Sequence, residues 1–363
     1  MGDSLLVNFV YCHPVGHAVE ALHYAFGYHR ADPGRRIGVV LNAATAHELA
    51  RRCPWVDEVY TVQVDAFTST RFDLSSIPAG WDFVVDDVRG HLPDQRALFP
   101  GLAAYYDAAG AYFAGARGVT GGPRPEYARG QHLRIPVEPA VVAGGPWVAV
   151  LPGGSAQRSL YPSVRSWRMV MDGLREHIPG VRLLLVGKLV GDGRTATTYS
   201  AAEMAELAGC VDDLAVDVPL VAQLERVAAC GALVSPHSGF GMAALAVGTP
   251  WLVLGGNKWA EYFFNGVPFH TVLPDVARFP CYTGMGPDPA LVQDDGPRAP
   301  SMSRERVAAD LGEIVERTAA LVAGRVDYGQ ALVEHARARA ALDPGNPLMT
   351  WSLDDTLARA LTA

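Results

Sequence analysis

Lysine is almost missing from this 363-residue chain, where Lys188 and Lys258 stand against 28 arginines. With alanine abundant, that ratio matches the coding bias of a GC-rich genome, so an arginine here is not by itself a sign of phosphate binding. Excess positive charge is missing as well. The net charge of −8 argues against nucleic acid as the main partner and leaves no polybasic surface to hold the chain on anionic lipid. No apolar run approaches the ~20 residues that span a bilayer, and no basic segment precedes the short apolar run at the N-terminus. The expected location is the cytoplasm, without stable membrane association. The five cysteines, Cys12, Cys53, Cys210, Cys230 and Cys281, show no C-x-x-C spacing, which suits reduced, buried thiols. What is present is an apolar content of 49% beside 38 glycines and 26 prolines. That composition describes a globular protein long enough for two domains, with a small molecule as its expected partner.

Short apolar runs alternate with helical spacing along both halves. In the first half, strands are expected over 5–11, 36–41, 56–60 and 81–86, the last running into Asp86-Asp87. Helices are expected after the turn His13-Pro14-Val15-Gly16-His17, over 44–52 and over 102–114. Between Leu133 and Pro146 the composition shifts to Pro, Val and Gly without helical period, which marks a domain boundary. The pattern then restarts with strands at 147–151, 181–186, 232–235 and 251–254 and helices at 164–176, 201–208, 220–229 and 242–247. An irregular aromatic segment and a proline-rich loop follow, then helices over 304–323, 330–341 and 351–362. Such alternation predicts βαβ units and parallel sheets. The fold class is therefore α/β, with two doubly wound Rossmann-like domains, 1–138 and 139–325, facing each other across a cleft. Residues 326–363 form a helical tail able to pack back on the first domain. Ligands of such folds bind at the carboxyl ends of the strands.

One strand-to-helix junction stands out. After Val234, the loop Pro236-His237-Ser238-Gly239 leads into a helix closed by Gly248 and Pro250. Ser238 suits an N-cap, and Gly239 and Gly241 let a ligand approach bare amides at the positive end of the helix dipole, which favours a phosphate. The other reading is an ordinary turn whose glycines serve packing.

Four motifs in register then define a resemblance. They are Val15-Gly16-His17-Ala18 opening the first helix, Cys53-Pro54-Trp55-Val56-Asp57-Glu58-Val59, the stretch PGGSAQRSLYPSVRSW from Pro152 to Trp167, and residues 231–256. Together they cover about residues 5–260 and resemble the GT-B glycosyltransferases, within them the ADP-heptose:LPS heptosyltransferase family. The departures are specific. His17 stands where that family has its catalytic aspartate, His237 replaces the aspartate of the second loop, and Ser159 falls where a phosphate-binding lysine is common, leaving Arg158 as its stand-in.

The resemblance implies a glycosyltransferase (EC 2.4 class) that moves a sugar, a heptose by analogy, from a nucleoside-diphosphate sugar to a hydroxyl of a small acceptor with inversion. Such transfer needs a base near the acceptor hydroxyl and positive partners for the departing diphosphate. A histidine titrates near pH 6.5 and is basic at cell pH without tuning, so His17 is the candidate base. Alternatively it only holds the loop, with His13 or no side chain as the base. Glu20 or Asp86-Asp87 can orient such a histidine or stand as structural acids. For the leaving group, the amides of Ser238, Gly239 and Phe240 form one clamp, and the Gly154-Ser155 loop with Arg158, the second candidate catalytic residue, forms another. No convincing D-x-D motif is present, so neither metal nor cofactor is expected. Lys188 after its strand end is placed for the base or ribose, or is a plain surface lysine. Asn257 and Lys258 reach the donor sugar or phosphate. Trp259, Tyr262, Phe263 and Phe264 wall the sugar or pack a core, and His237 touches the donor or braces its loop. The acidic balance points to a soluble acceptor such as a natural-product intermediate. Two rivals remain, a nucleotide-sugar epimerase of GT-B shape and a degenerate homologue that binds nucleotide sugar without turnover.

Overall fold

The computed structural model describes residues 3–11, 15–117, 124–140, 143–191, 196–258, 263–283, 288–352 and 354–362. The chain divides into two compact units, Met1–Pro136 and Val137–Ala363.

In the first unit, β1 (Ser4–Phe9) leads to α1 (Val15–Ala31), β2 (Arg36–Asn42), β3 (Glu58–Val62) and β4 (Phe83–Asp86). All pairings are parallel, in the order β3-β2-β1-β4. Every residue of β1 is buried, which is why its sequence reads as a continuous apolar run instead of an alternation. Two helices, α2 (Pro93–Leu98) and α3 (Pro100–Tyr112), each start on a proline, where its missing N–H costs nothing. Leu102, Tyr105, Tyr106, Ala109 and Phe113 from α3 and its C-terminal end pack under the sheet on Leu6, Val40 and Val84. The expected helix over 44–52 is a correction. Short turn bonds run through the segment, among them His47 to the carbonyl of Thr45 and Leu49 to that of Ala46, and only Ala50–Arg52 is helical, as a 3₁₀ turn. The Asn42 carboxamide takes the amide of Ala44 (3.0 Å) and donates to the carbonyl of Val64 (2.7 Å), diverting the backbone at the point where a helix would start.

In the second unit the elements are β5 (Trp147–Val150), α4 (Val164–His177), β6 (Arg182–Gly187), α5 (Ala201–Ala208), β7 (Asp213–Val216), α6 (Leu220–Ala228), β8 (Ala232–Pro236), α7 (Gly239–Ala246), β9 (Trp251–Leu254) and β10 (Phe269–Val272). They form one parallel sheet of order β10-β9-β8-β5-β6-β7. Counted from β5 this is 3-2-1-4-5-6, the doubly wound arrangement whose order reverses between β5 and β8. Two of its strands were not expected from the sequence. β7 is an edge strand with two exposed residues, so it lacks the apolar run, and β10 lies inside the aromatic segment. The expected helix over 304–323 is two, α8 (Arg304–Ala309) and α9 (Leu311–Val322), separated at Asp310. There the Asp310 carboxylate accepts from Nε of fully buried Arg306 at 2.8 Å. α10 (Tyr328–Leu342) packs on β10 within this unit. Its Arg339 donates to the carbonyls of Asn257 (3.2 Å) and Lys258 (2.9 Å). Among the described residues no helix is long and apolar enough to cross a membrane.

Candidate functional site

In each unit the candidate residues are best approached from the point where the strand order reverses. In the first unit that point lies between β1 and β4, which pair directly through Asn8 and Asp86. His17 sits in the first turn of α1 with its Nδ1 3.1 Å from Glu20 Oε2. Spacing of three on a helix brings the two side chains to one face. The same Glu20 oxygen accepts from Arg89 Nη2 at 2.8 Å, and Arg89 holds Asp87 through Nη2 to Oδ2 (2.7 Å) and Nε to Oδ1 (3.0 Å). Arg89, Asp87 and Glu20 are 3%, 0% and 4% exposed. The guanidinium lies 4.2 Å above the Tyr11 ring, and that ring meets the His17 imidazole edge-on at 4.7 Å. Of the acids that were expected to orient His17, Glu20 does so directly and Asp87 through Arg89. Asp86 serves another histidine, His91, whose Nε2 lies 2.9 Å from its Oδ2. His17 Nε2 has no hydrogen-bond partner among the described residues, and its side chain keeps 11% of its surface exposed. In the neutral ring, a hydrogen on Nδ1 donated to Glu20 Oε2 leaves the lone pair on Nε2. His13, the alternative base, lies outside the described residues.

In the second unit the reversal lies between β5 and β8, neighbours through Val148 and Ala232. Ser238 caps α7, its Oγ accepting from the amide of Gly241 at 3.1 Å. The amides of Gly239 and Phe240 make no hydrogen bond to any described residue, so the helix start keeps two donors for a ligand. Gly241 serves packing: a Cβ there would come within 2.1 Å of the buried Trp251 ring. His237 stacks against Trp251 (6.1 Å between centroids), with Asn257 Nδ2 3.4 Å from its Nδ1. Asn257 Oδ1 is buried without a partner among the described residues. After β5, Gly154 and Ser155 form a loop whose Gly154 carbonyl accepts from the amide of Thr198 at 3.0 Å, while Ser155 is exposed.

Arg158 is more constrained than a free phosphate clamp. Its Nε and Nη2 bind Glu203 Oε1 (3.1 and 2.8 Å), its Nη1 donates to the carbonyls of Tyr161 and Pro162 (3.3 and 3.0 Å), and its guanidinium lies 3.7 Å over the Tyr199 ring. Burial by itself would raise the Glu203 carboxyl, but the bonds from Arg158 and Ser200 hold it below its ordinary value. Lys188 follows β6, two strands from β8, and its carbonyl accepts from Thr197. Lys258 Nζ lies 3.7 Å from Asp343 Oδ2. Phe263 and Phe264 are buried, Phe264 against Phe269 and His335, so this pair packs a core. Trp259 and Tyr262 lie outside the described residues.

Sequence reasoning passed over Arg89, Tyr11, His91 and Trp251. The signal for Arg89 and His91 was local: both follow the acidic pair that ends β4, within five residues of Asp86.

Two units of parallel, doubly wound topology place the chain among the Rossmann-like, two-unit GT-B folds. Solved structures agree. Over 87% of its length the chain is similar to the E. coli heptosyltransferase WaaC with ADP (99% of that chain, 14% identity, TM-score 0.51). It is similar over the same share to a glycosyl transferase family 9 protein from Veillonella parvula (97% of that chain, 12% identity, TM-score 0.50). The iron-containing dodecameric glycosyltransferase TibC of enterotoxigenic E. coli matches over 87% of this chain and 76% of its own (14% identity, TM-score 0.50). The chain has a GT-B fold, the fold it shares with these structures. No protein-family model matches it, and no curated protein matches it in sequence.

Proposed function

We propose that the chain is an inverting, metal-independent glycosyltransferase that uses a nucleoside-diphosphate sugar and a small hydroxylated acceptor, with His17 as its general base. The observation that carries this reading is the His17–Glu20 pair, held by Arg89 and Asp87 and leaving Nε2 without a partner among the described residues. On attack, the acceptor hydroxyl gives its proton to Nε2 while its oxygen forms the new bond to the anomeric carbon. The bond from that carbon to the diphosphate oxygen breaks with its electron pair. Before transfer, two carboxylates share one guanidinium; the imidazolium makes a second cation, so the buried set is charge-balanced as the proton arrives. A carboxylate behind a histidine fixes its tautomer and stabilises the imidazolium.

The departing diphosphate is assigned to the amides of Gly239 and Phe240 and the N-terminal end of α7, with no metal or cofactor required. Given its commitments, Arg158 acts by positioning the Gly154-Ser155 loop. Asn257 and His237 are assigned to the donor sugar or ribose, Lys188 to the base or ribose, and Lys258 to the sugar or phosphate. The names of the similar proteins make ADP-heptose the first donor to try, and the acidic chain favours a soluble acceptor of the natural-product kind.

A thermal-shift panel of ADP, GDP, UDP, CDP and dTDP, with and without EDTA, tests the donor site. A diphosphate at about a hundredfold over its dissociation constant adds roughly 2.7 kcal/mol. One diphosphate should raise the melting temperature with no effect of EDTA; no shift from any would favour the degenerate homologue. His17→Ala should then abolish transfer while keeping that shift. Unchanged turnover would remove His17 from the mechanism, and consumption of donor by a pure isomerisation without acceptor would favour the epimerase.

A further inference from the structure

The first unit carries a second histidine–carboxylate pair, and its tautomer can be read from the core outward. Tyr105 is fully buried, and burial together with the Asp86 carboxylate pushes its hydroxyl well above its ordinary value. It therefore stays protonated and donates to Asn8 Oδ1 at 2.6 Å. That fixes the carboxamide: Asn8 Nδ2 points to Asp86 Oδ1, 2.7 Å away, because the opposite orientation would set two acceptor oxygens against each other. Asp86, 4% exposed, then has Oδ2 left to accept from His91 Nε2 at 2.9 Å. Nε2 must carry the hydrogen, so in the neutral ring Nδ1 is left with its lone pair.

His91 is held in place by its neighbours. Asp87 caps the turn Val88–His91 by accepting from the amide of Arg89. At Gly90 an added Cβ would meet the Tyr106 ring at 2.2 Å, and the His91 ring lies 5.4 Å from the same tyrosine. Its side chain is 36% exposed, and Nδ1 has no partner among the described residues. At His17 it is Nδ1 that faces a carboxylate, so in the neutral ring the arrangement is the reverse, with Nε2 left to accept. Both rings stand at the carboxyl ends of adjacent parallel strands, and one short segment, Asp86 to His91, supplies the support of both.

We propose that His91 is an acceptor-binding residue, its Nδ1 accepting a hydrogen bond from a second hydroxyl of the molecule whose first hydroxyl meets His17. The acceptor class is then a polyol, a cyclitol or a sugar with two free hydroxyl groups; a simple alcohol has only one to offer. This rests on the glycosyltransferase reading for its biological meaning, but binding can be tested apart from turnover.

Histidine ring signals of the full chain are followed by NMR while myo-inositol, the probe polyol, is titrated in at pH 7.5. Nitrogen shifts should report Nε2–H for His91 and Nδ1–H for His17, and both rings should respond to inositol along one saturation curve. His91→Gln should weaken inositol binding about tenfold, the scale of one lost hydrogen bond. Asp86→Asn, which keeps the shape but offers an amide, should change the His91 tautomer and weaken binding with it. Titration curves that move only His17, or neither ring, would overturn the proposal, as would an unaltered affinity in His91→Gln. Once an acceptor is turned over, His91→Gln should raise KM more than it lowers kcat. A loss of kcat as deep as that of His17→Ala would make His91 the base and also overturn it. Failure of donor turnover with inositol binding intact would remove the glycosyltransferase reading and leave the His91 site standing.

Discussion

Arg89→Gln is the perturbation whose size the structure fixes best. Arg89 stands between Glu20 and Asp87, and all three are buried to 96% or more of their surface. Removing the guanidinium leaves two carboxylates facing each other without a cation. Breaking a buried ion pair from one side costs about 3–5 kcal/mol, and the lost stacking on Tyr11 adds about 0.5–1 kcal/mol. Glu20→Gln or Asp87→Asn should cost much less, because each leaves one cation beside one anion. The triple variant Glu20→Gln, Asp87→Asn, Arg89→Gln should recover most of the loss. The pH dependence has a definite sign. In Arg89→Gln the folded chain can relieve the repulsion by keeping a proton that the unfolded chain has released, so it binds more protons than the unfolded chain. Stability of this variant then falls as pH rises, and its deficit against the parent shrinks on acidification. Hydrogen exchange of the full protein, read in peptides covering β1 and α1 at pH 5.5 and 7.5, reports the opening free energy of this region. A deficit below about 1 kcal/mol, or one equal at both pH values, would refute the charge accounting.

Gly241→Ala should weaken the proposed diphosphate site without touching any ligand atom. Ala in a helix gains up to about 1 kcal/mol, but forcing its methyl against Trp251 costs about 1–3 kcal/mol and strains the Trp251 bond to Ser235 Oγ (2.8 Å). A lower melting temperature and a smaller nucleotide shift are expected; a neutral variant would show that α7 has room to move. At Glu203 the folded carboxyl is held below its unfolded value, so its contribution is present above pH ~4.5 and lost as pH falls through the folded value. Acid unfolding of Glu203→Gln and the parent should therefore differ above that pH and converge below it, and parallel curves would dismiss the Arg158 pairing. Burial pushes the thiols of Cys53 and Cys230 up to about 12, so both should resist iodoacetamide at pH 8 while half-buried Cys210 reacts ahead of them. Rapid labelling of Cys53 in the folded protein would contradict the packing.

What could be read from the sequence was what periodicity encodes. The runs at 147–151 and 232–235 announced β5 and β8 because both strands are buried throughout, and the turn after β8 announced α7 because Ser238 and two glycines are its natural opening. β7 escaped because only Ala215 is fully buried on an edge strand, and the break at Asp310 escaped because no proline marks it in the sequence. The site divides in the same way. His17 and Glu20 are three residues apart on one helix, within reach of local reasoning. Arg89 joins Glu20 across 69 positions, and His91 owes its orientation to a chain that starts at Tyr105. No window on the sequence contains those partners together.

Arg339 also has a consequence for how the protein is made. Its guanidinium ties the carbonyls of Asn257 and Lys258 from 82 and 81 positions further along the chain. During synthesis at ~5–20 residues per second, the loop after β9 therefore exists for roughly 4 to 16 s before its fastener has been made. The first unit can be complete in that time, and so can β5 through β10. That loop cannot, so a ribosome that stalls or stops in α10 releases a chain with its sheets formed and this loop unfastened.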